Sequence, residues 1–189
     1  MVRFSYIIVL CLCCNLLFSS PTQLHYYRPV SQLKTQPSFR IVDHKAGHCI
    51  GQSTRIVRED AWRCMADGMT YDPCFEYPGG DHRQLLCVSA PWREEGVVLI
   101  IPALSEIDRQ NQKTLDMSTT LPWAVILHDD DRCLATDHQQ QIKEHLIIYQ
   151  CQSGAVLYGY LQRCHREWTI IKQLPGQAAA MTTIQAAWF

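Results

Sequence analysis

Cysteine is the residue type whose number and spacing carry the most chemical information in this chain. The 189 residues include ten cysteines, three of them near the N-terminus. The others are spread widely, at Cys49, Cys64, Cys74, Cys87, Cys133, Cys151 and Cys164. In an exported chain such cysteines are read first as disulfides, because the reducing systems of the cytosol are absent outside it. Sequence alone leaves the connectivity open, and nearest-neighbour pairing predicts Cys49–Cys64, Cys74–Cys87 and Cys133–Cys151.

Cys164 is the cysteine left over by this pairing. Arg163, His165 and Arg166 flank it, and positive neighbours make a thiol more reactive. One hypothesis is therefore a free, reactive or intermolecular thiol at Cys164. The alternative that we favour is an inert buried thiol, or a Cys164 that belongs to one bridge while another cysteine is left odd.

The spacing of cysteines and histidines argues against a metal or redox site. Structural zinc sites and thioredoxin-like motifs need close pairs such as Cys-x-x-Cys, whereas the nearest pair here, Cys64 and Cys74, is ten residues apart. His44 and His48 have the spacing of a helical metal pair, but Gly47 interrupts it and no glutamate lies between them as in His-Glu-x-x-His. We therefore expect no metal and no cofactor.

Hydrolytic chemistry has no clear signature either. The chain has no Gly-x-Ser-x-Gly motif, and a cysteine protease would have to combine Cys164 with a distant histidine. The acidic clusters Glu94–Glu95 and Asp129–Asp131 fall on expected turns. His128 beside the aspartates lacks the alternating acids of a calcium loop, so a charged hairpin tip explains it better. We name no catalytic residue.

The N-terminus resembles a secretory signal peptide. Arg3 is the only charge before the apolar run from Phe4 to Phe18, and small or turn-prone residues follow as far as Thr22. The run is shorter than the roughly 20 residues that a membrane-spanning helix needs. We predict a signal peptide at 1–22 and a secreted or periplasmic protein. An uncleaved anchor, or lipidation at Cys11, Cys13 or Cys14, are the alternatives.

Charge and hydropathy limit the partners. The chain has 17 Lys and Arg against 18 Asp and Glu, and the basic residues are dispersed. Nucleic acid is therefore an unsuitable partner, since binding phosphates requires clustered Lys and Arg. Because no later segment is apolar enough to span a bilayer, we expect a soluble mature chain with no membrane span. Its partner would be an unknown protein or envelope ligand.

Many short β-rich runs separated by turn signals predict a mainly β (α+β) fold. After an extended lead-in at 23–39, we expect one compact disulfide-stapled domain of short antiparallel strands at 40–189. Examples are the apolar run Gly96–Pro102 and the segment His145–Cys151. A single short helix is predicted at Arg58–Ala66, which contains helix formers and is followed by Asp67-Gly68.

Several short motifs resemble those of an uncharacterised family of secreted, cysteine-containing bacterial proteins. They are Cys49-Ile50-Gly51 with Ser53, Arg58–Cys64, Tyr71–Phe75, Leu86-Cys87, Pro91-Trp92, Pro122-Trp123-Ala124, Cys133, Cys151, Trp168-Thr169 and Ala187-Trp188-Phe189. The likeness covers most of the chain after the leader, in order. It implies six shared cysteines, with Cys164 as the departure, and it implies no activity because none is assigned to that group.

Two classes of function remain after these exclusions. The favoured one is a non-enzymatic binding or interaction module on a disulfide-fixed β scaffold. Its expected contact surfaces are the loops Pro78–Gln84, Ser105–Thr120 and Asp129–Asp131, since loops on a rigid scaffold usually carry recognition. The alternative is an exported hydrolase whose cleft has no recognisable motif. A pocket lined by histidine or acidic side chains would favour the hydrolase.

Overall fold

β-strands dominate the computed structural model, which describes residues 20–29, 39–77, 82–104, 110, 112–136, 141–142 and 144–189. These residues form fourteen strands. In chain order they are β1 Gln23–His25, β2 Arg40–Ala46, β3 His48–Gln52, β4 Ala61–Ala66, β5 Met69–Glu76, β6 Gln84–Cys87, β7 Glu95–Ile100, β8 Ala124–Leu127, β9 Arg132–Ala135, β10 Gln141–Ile142, β11 His145–Cys151, β12 Val156–Gln162, β13 Trp168–Gln173 and β14 Ala180–Trp188. The mainly β fold that the sequence predicts is confirmed.

The first sheet has the strand order β2-β7-β6-β5-β4-β3, so that its two edge strands are consecutive in the chain. Gly47 alone joins β2 to β3. Its amide donates a hydrogen bond to the Ile100 oxygen, 2.9 Å away at the end of β7. On the other side, a Cβ at this position would lie only 2.6 Å from the Met65 oxygen in β4. Glycine is required here because β4 and β7 approach the same point of the backbone from opposite sides.

The second sheet closes on itself. Its ring contains β8, β9, β11, β12, β13 and β14, and β14 pairs with both β13 and β8. β10 extends the ring beside β11. β1 pairs in parallel with the last part of β14, where Gln23 lies opposite Ala186. The beginning of the segment predicted as a lead-in is thus a strand of the second sheet.

Three clusters of buried side chains hold these sheets. One fills the second sheet, around Leu127, Tyr149 and Ile184. Another lies on one face of the first sheet, around Trp62 and Leu99. The third lies between the two sheets and joins the opposite face of the first sheet to the start of β8; its members include Phe75, Leu86, Val98, Trp123 and Ala124.

The helix predicted at Arg58–Ala66 is wrong. Residues 58–60 form a turn and Ala61–Ala66 is strand β4. β4 lies between β3 and β5, and its residues are buried or half-buried on both faces. A strand covered on both faces shows no alternation of apolar and polar residues. Helix formers such as Ala and Met therefore misled the prediction, and sheet pairing overrode their local preference.

Three disulfides join neighbouring strands. They are Cys49–Cys64 between β3 and β4, Cys74–Cys87 between β5 and β6, and Cys133–Cys151 between β9 and β11. The two cysteines of each pair lie directly opposite each other in the strand register. These are the pairs that nearest-neighbour assignment gives, and each bond fixes one strand against the next.

Residues 1–19, which hold most of the predicted signal peptide together with Cys11, Cys13 and Cys14, lie outside the described part of the chain. Among the residues described, no helix combines the length and apolar character needed to cross a bilayer. The three disulfides are consistent with a secreted or periplasmic protein.

Candidate functional site

The first sheet forms the walls of a cavity of about 480 Å³. Volumes of this order are typical of sites for small molecules, which range over roughly 300–1,000 Å³. The lining residues come from β2, β4, β5, β6 and β7 and from the loops that follow β3 and β6. Because the sheet pairs strands that are distant in the chain, such as β2 and β7, residues from both ends of the segment contribute to one space.

Two irregularities of the strand register shape this cavity. Asp72 and Pro73 of β5 lie opposite the single residue Arg63 of β4, and the peptide bond between Asp72 and Pro73 is cis. In β2 the register shifts beside β7, so that Val42 is an extra residue. All four residues line the cavity. Bulges are frequent next to functional sites because they redirect a side chain out of the regular alternation.

The carboxylate of Asp72 closes one side of the cavity by holding the loop after β3. It accepts hydrogen bonds from the Ser53 hydroxyl, from the Thr54 hydroxyl at 2.8 Å and from the Thr54 amide at 3.1 Å. The Ser53 oxygen in turn accepts the amides of Arg55 and Ile56, both at 3.1 Å. Ser53 is only 6% exposed. The Ser53–Asp72 pair is therefore a brace between loop and strand, and the hydroxyl is not presented as a nucleophile.

Charged side chains without partners complete the lining. Arg55, Arg63 and Glu95 line the cavity, and none of their side chains forms a hydrogen bond or ion pair with any residue that the structure describes. Apolar surface from Tyr71 and Val97 lies beside them. The cavity thus combines an apolar wall with free charges, which suits binding of a small ligand.

Of the cysteines predicted from the sequence, one disulfide contributes to the cavity wall and the other cysteines lie outside it. Cys87 lines the cavity, so the Cys74–Cys87 disulfide is part of its wall. Cys164 is exposed and is the free cysteine of the described residues. A carboxylate oxygen of Asp131 and the sulfur atoms of Cys133 and Cys151 lie within 4.8 Å of one another, close enough to suggest a metal site. However, the two sulfur atoms are bonded to each other and are not available as metal ligands.

The histidines weighed as ligands or catalysts lie away from the cavity. His44 and His48 are exposed residues of different strands, β2 and β3. His82 contacts Glu76 at 2.9 Å, and His128 contacts Glu167 at 3.3 Å. No histidine of the described residues lines the first-sheet cavity.

The acidic turn Asp129–Asp131, predicted as a contact surface, is occupied by internal pairing. Asp131 accepts the Ser153 hydroxyl at 2.5 Å and pairs with Lys172 at 2.9 Å, and Lys172 also pairs with Asp129 at 2.7 Å. Burial by itself raises the pKa of Asp131, but hydrogen bonds from Ser153 and Lys172 outweigh it, and the pKa lies below its ordinary value. The turn is a clamp that ties the β8–β9 hairpin to β13.

Replacing Asp131 by Asn is expected to destabilise the protein by about 1.5 kcal/mol near neutral pH, since the side chain loses charged hydrogen bonds. A carboxylate whose folded pKa is lowered contributes its full stabilisation above the ordinary value of 3.8 and loses it as the pH falls through the folded pKa. The difference between wild type and variant should therefore shrink below about pH 4. Urea unfolding at several pH values measures it.

The control for this clamp is Asp130→Asn. Asp130 is exposed, and its positive φ of 61° is a conformation that Asn tolerates. We expect a change within about 0.5 kcal/mol. Equal effects of the two substitutions at neutral pH would contradict the assignment of the clamp to Asp131.

The other two predicted contact loops are described only in part. In the loop Pro78–Gln84, residues 78–81 are not described. In the loop Ser105–Thr120, residues 105–109 and 111 are not described. In the described part of the second loop, Arg163 donates hydrogen bonds to the oxygens of Met117, Ser118 and Thr120, at 3.0, 3.2 and 2.7 Å. This loop is thus fastened to the second sheet.

The cavity itself was missed by sequence reasoning. Its lining residues lie between positions 42 and 97, and none belongs to the three loops that were expected to carry recognition. The available signal was the Tyr71-Asp72-Pro73-Cys74 segment, where a proline inside a strand indicates a bulge or an edge.

Comparison of the chain with protein-family models, with curated proteins and with solved structures finds no match.

Proposed function

We propose that this protein is an exported, non-enzymatic binding module that holds a small ligand in the first-sheet cavity. The observation that carries the proposal is the combination of apolar wall and partnerless charges at Arg55, Arg63 and Glu95. Three disulfides support export, since such bonds persist in oxidising compartments. The resemblance of the sequence to secreted bacterial proteins of unassigned activity agrees with this proposal.

The composition of the lining favours binding over hydrolysis. Nucleophilic catalysis needs a nucleophile within hydrogen-bond reach of a base. Ser89, the serine of the lining, forms no hydrogen bond to a base among the described residues. Ser53, which does pair with Asp72, is buried. Two carboxylates, Asp72 and Glu95, do line the cavity. However, three donors from Ser53 and Thr54 hold Asp72 in its bracing role, which leaves Glu95 as the single free acid.

A nuclear magnetic resonance screen tests the proposal. We expect at least one compound from a panel of amino acids, organic acids, monosaccharides and short alcohols to shift the amide signals of Ser89 and Val97, which line the cavity. Thr70→Trp, at an exposed position of the lining, should abolish these shifts by filling the opening. Met181→Trp, at an exposed position on β14 of the second sheet, should leave them unchanged.

Two results would overturn the proposal. One is a panel in which no compound shifts the cavity amides of the wild-type protein. The other is turnover of p-nitrophenyl esters, phosphates or glycosides that Glu95→Gln removes, because that result would assign a hydrolase to the same cavity.

A further inference from the structure

We infer that the ligand of the first-sheet cavity is an amphipathic organic anion: a carboxylate or phosphate group bound by Arg55 and Arg63, attached to an apolar body that packs on the cavity wall. The inference rests on the proposed function, because it specifies the ligand of that cavity. Beyond the proposed function, the inference specifies that the ligand is negatively charged and amphipathic, and it names the two arginines that bind the charged group.

The two arginines differ from the arginines that hold the fold together. The Arg58 guanidinium makes hydrogen bonds to Asp60, Tyr27 and Phe189, and Arg163 binds three main-chain oxygens. Arg55 and Arg63 line the cavity and have no such partner among the described residues. Their N–H donors are therefore available to a ligand.

Arg55 and Arg63 are held in the cavity lining by two different elements. Arg55 belongs to the loop that Ser53 and Asp72 brace, since its amide donates to the Ser53 oxygen at 3.1 Å. Arg63 lies in β4 opposite the bulge at Asp72 and Pro73. Both side chains are thus carried by backbone that is fixed in place. A planar guanidinium matches the geometry of carboxylate and phosphate oxygens, often with two parallel hydrogen bonds.

The acids of the lining do not neutralise this donor capacity. The oxygens of Asp72 are taken up by Ser53 and Thr54. Glu95 lies at the border of the cavity, because it also lines a neighbouring depression together with Arg40 and Arg93. Among the charged groups of the lining, Arg55 and Arg63 supply donors and Glu95 is the one free acceptor, so we expect the ligand to supply acceptors.

The apolar part of the inference follows from volume and lining. About 480 Å³ is the space of roughly 16 water molecules at about 30 Å³ each, which is far more than a bare anion occupies. Tyr71, Val97, Val42 and the Cys74–Cys87 disulfide supply apolar wall. An organic body on the anion would remove this surface from water, and burial of apolar surface favours binding.

A set of four probes with the same alkyl chain separates charge from polarity. We expect hexanoate or hexyl phosphate to bind at least ten times more tightly than hexanol, and hexylammonium to bind no better than hexanol. Affinity should fall with added salt, because the charged contact lies at a partly open mouth. Titration followed through the amide signals of Ser89 and Val97 locates the binding at the cavity.

Arg63→Gln and Arg55→Gln are each expected to weaken the anionic probe about tenfold while leaving hexanol unchanged. Arg166→Gln is the matched control, since Arg166 is exposed and lies outside the cavity lining. Circular dichroism and the unfolding midpoint of each variant establish that it folds as the wild type does.

Each outcome decides one point. Equal binding of hexanol and the anions, with no effect of either arginine substitution, overturns the inference on the anion but leaves the proposed binding module standing. Preferred binding of hexylammonium overturns it as well and indicates Glu95. Binding of none of the four probes also overturns it, whereas the proposed function is then judged by the wider compound panel. The better of hexanoate and hexyl phosphate identifies the anionic group.

Discussion

Reduction of the three disulfides is expected to leave the protein unfolded at about 37 °C. The bonds close loops of 15, 13 and 18 residues in sequence separation. Each contributes about 2–4 kcal/mol by restricting the unfolded chain. Their sum, about 6–12 kcal/mol, is comparable to the whole free energy of unfolding of a domain, about 5–15 kcal/mol. Urea unfolding with and without dithiothreitol measures the loss.

Double substitutions divide this effect between the sheets. Cys133→Ala with Cys151→Ala removes the bond of the second sheet, and Cys74→Ala with Cys87→Ala removes the bond in the cavity wall. We expect only the Cys74→Ala and Cys87→Ala substitutions to alter ligand binding as well as stability. Cys164→Ser, at the exposed free thiol, serves as the control and should change stability by less than about 0.5 kcal/mol. A native product with all thiols free and an unchanged midpoint would refute the prediction.

Arg58→Met is expected to destabilise the protein by about 2–3 kcal/mol. The Arg58 side chain is 1% exposed. It forms a two-bonded ion pair with Asp60, with distances of 2.9 and 2.6 Å, and donates to the main-chain oxygens of Tyr27 and Phe189 at 2.6 and 3.2 Å. Removing the guanidinium takes a donor from both main-chain oxygens, although the Phe189 oxygen keeps the Tyr27 amide at 2.8 Å. The Asp60 carboxylate, whose side chain is 40% exposed, is left to water. A buried acceptor that loses its donor costs about 1–3 kcal/mol.

Aromatic rings add to the cost of losing Arg58. Its guanidinium carbon lies 4.1 Å from the centre of the Tyr26 ring and 5.1 Å from that of Phe75, distances at which a cation is attracted to a ring face. Arg58→Lys keeps the charge but cannot reproduce the planar fork, so it should recover only part of the stability. Arg166→Met, at an exposed position, is the control.

The site of the damage is also predicted. Because Arg58 links the segment after β1 to the end of β14, the Arg58→Met variant should lose amide-exchange protection first at Tyr27 and Phe189. These amides donate to the oxygens of Phe189 and His25 at 2.8 and 2.9 Å. Uniform loss of protection over both sheets, with no early loss at these two amides, would contradict this role for Arg58.

Strands with clear boundaries were predictable from the sequence. His145–Cys151 is β11 to the residue, and the apolar run at Gly96–Pro102 corresponds to β7. Turn signals such as Ser153-Gly154 mark where these strands end, and the paired cysteines lie opposite each other once their neighbouring strands pair. Local preference and sheet pairing agree at these places, so the sequence is sufficient.

The prediction failed where pairing, and not local preference, decides the structure. β4 is covered on both faces and shows no alternation, which is why Arg58–Ala66 resembled a helix. The cavity depends on which residue of β5 faces Arg63 and on the extra residue in β2. Register is a property of two strands together, and a one-residue shift moves a side chain to the other face. No single segment of sequence contains that information.

Parallel pairing of β1 with β14 has a consequence for the order in which the protein assembles. Thr22, just before β1, donates to the oxygen of Ile184, which lies 162 residues further along the chain. Closing so large a loop is slow, since the entropy of bringing distant segments together precedes any gain from their contact. β1 leaves the ribosome long before its partner and must therefore wait, unpaired, until β14 has been translated. We expect the barrier to folding to depend on when this late partner arrives.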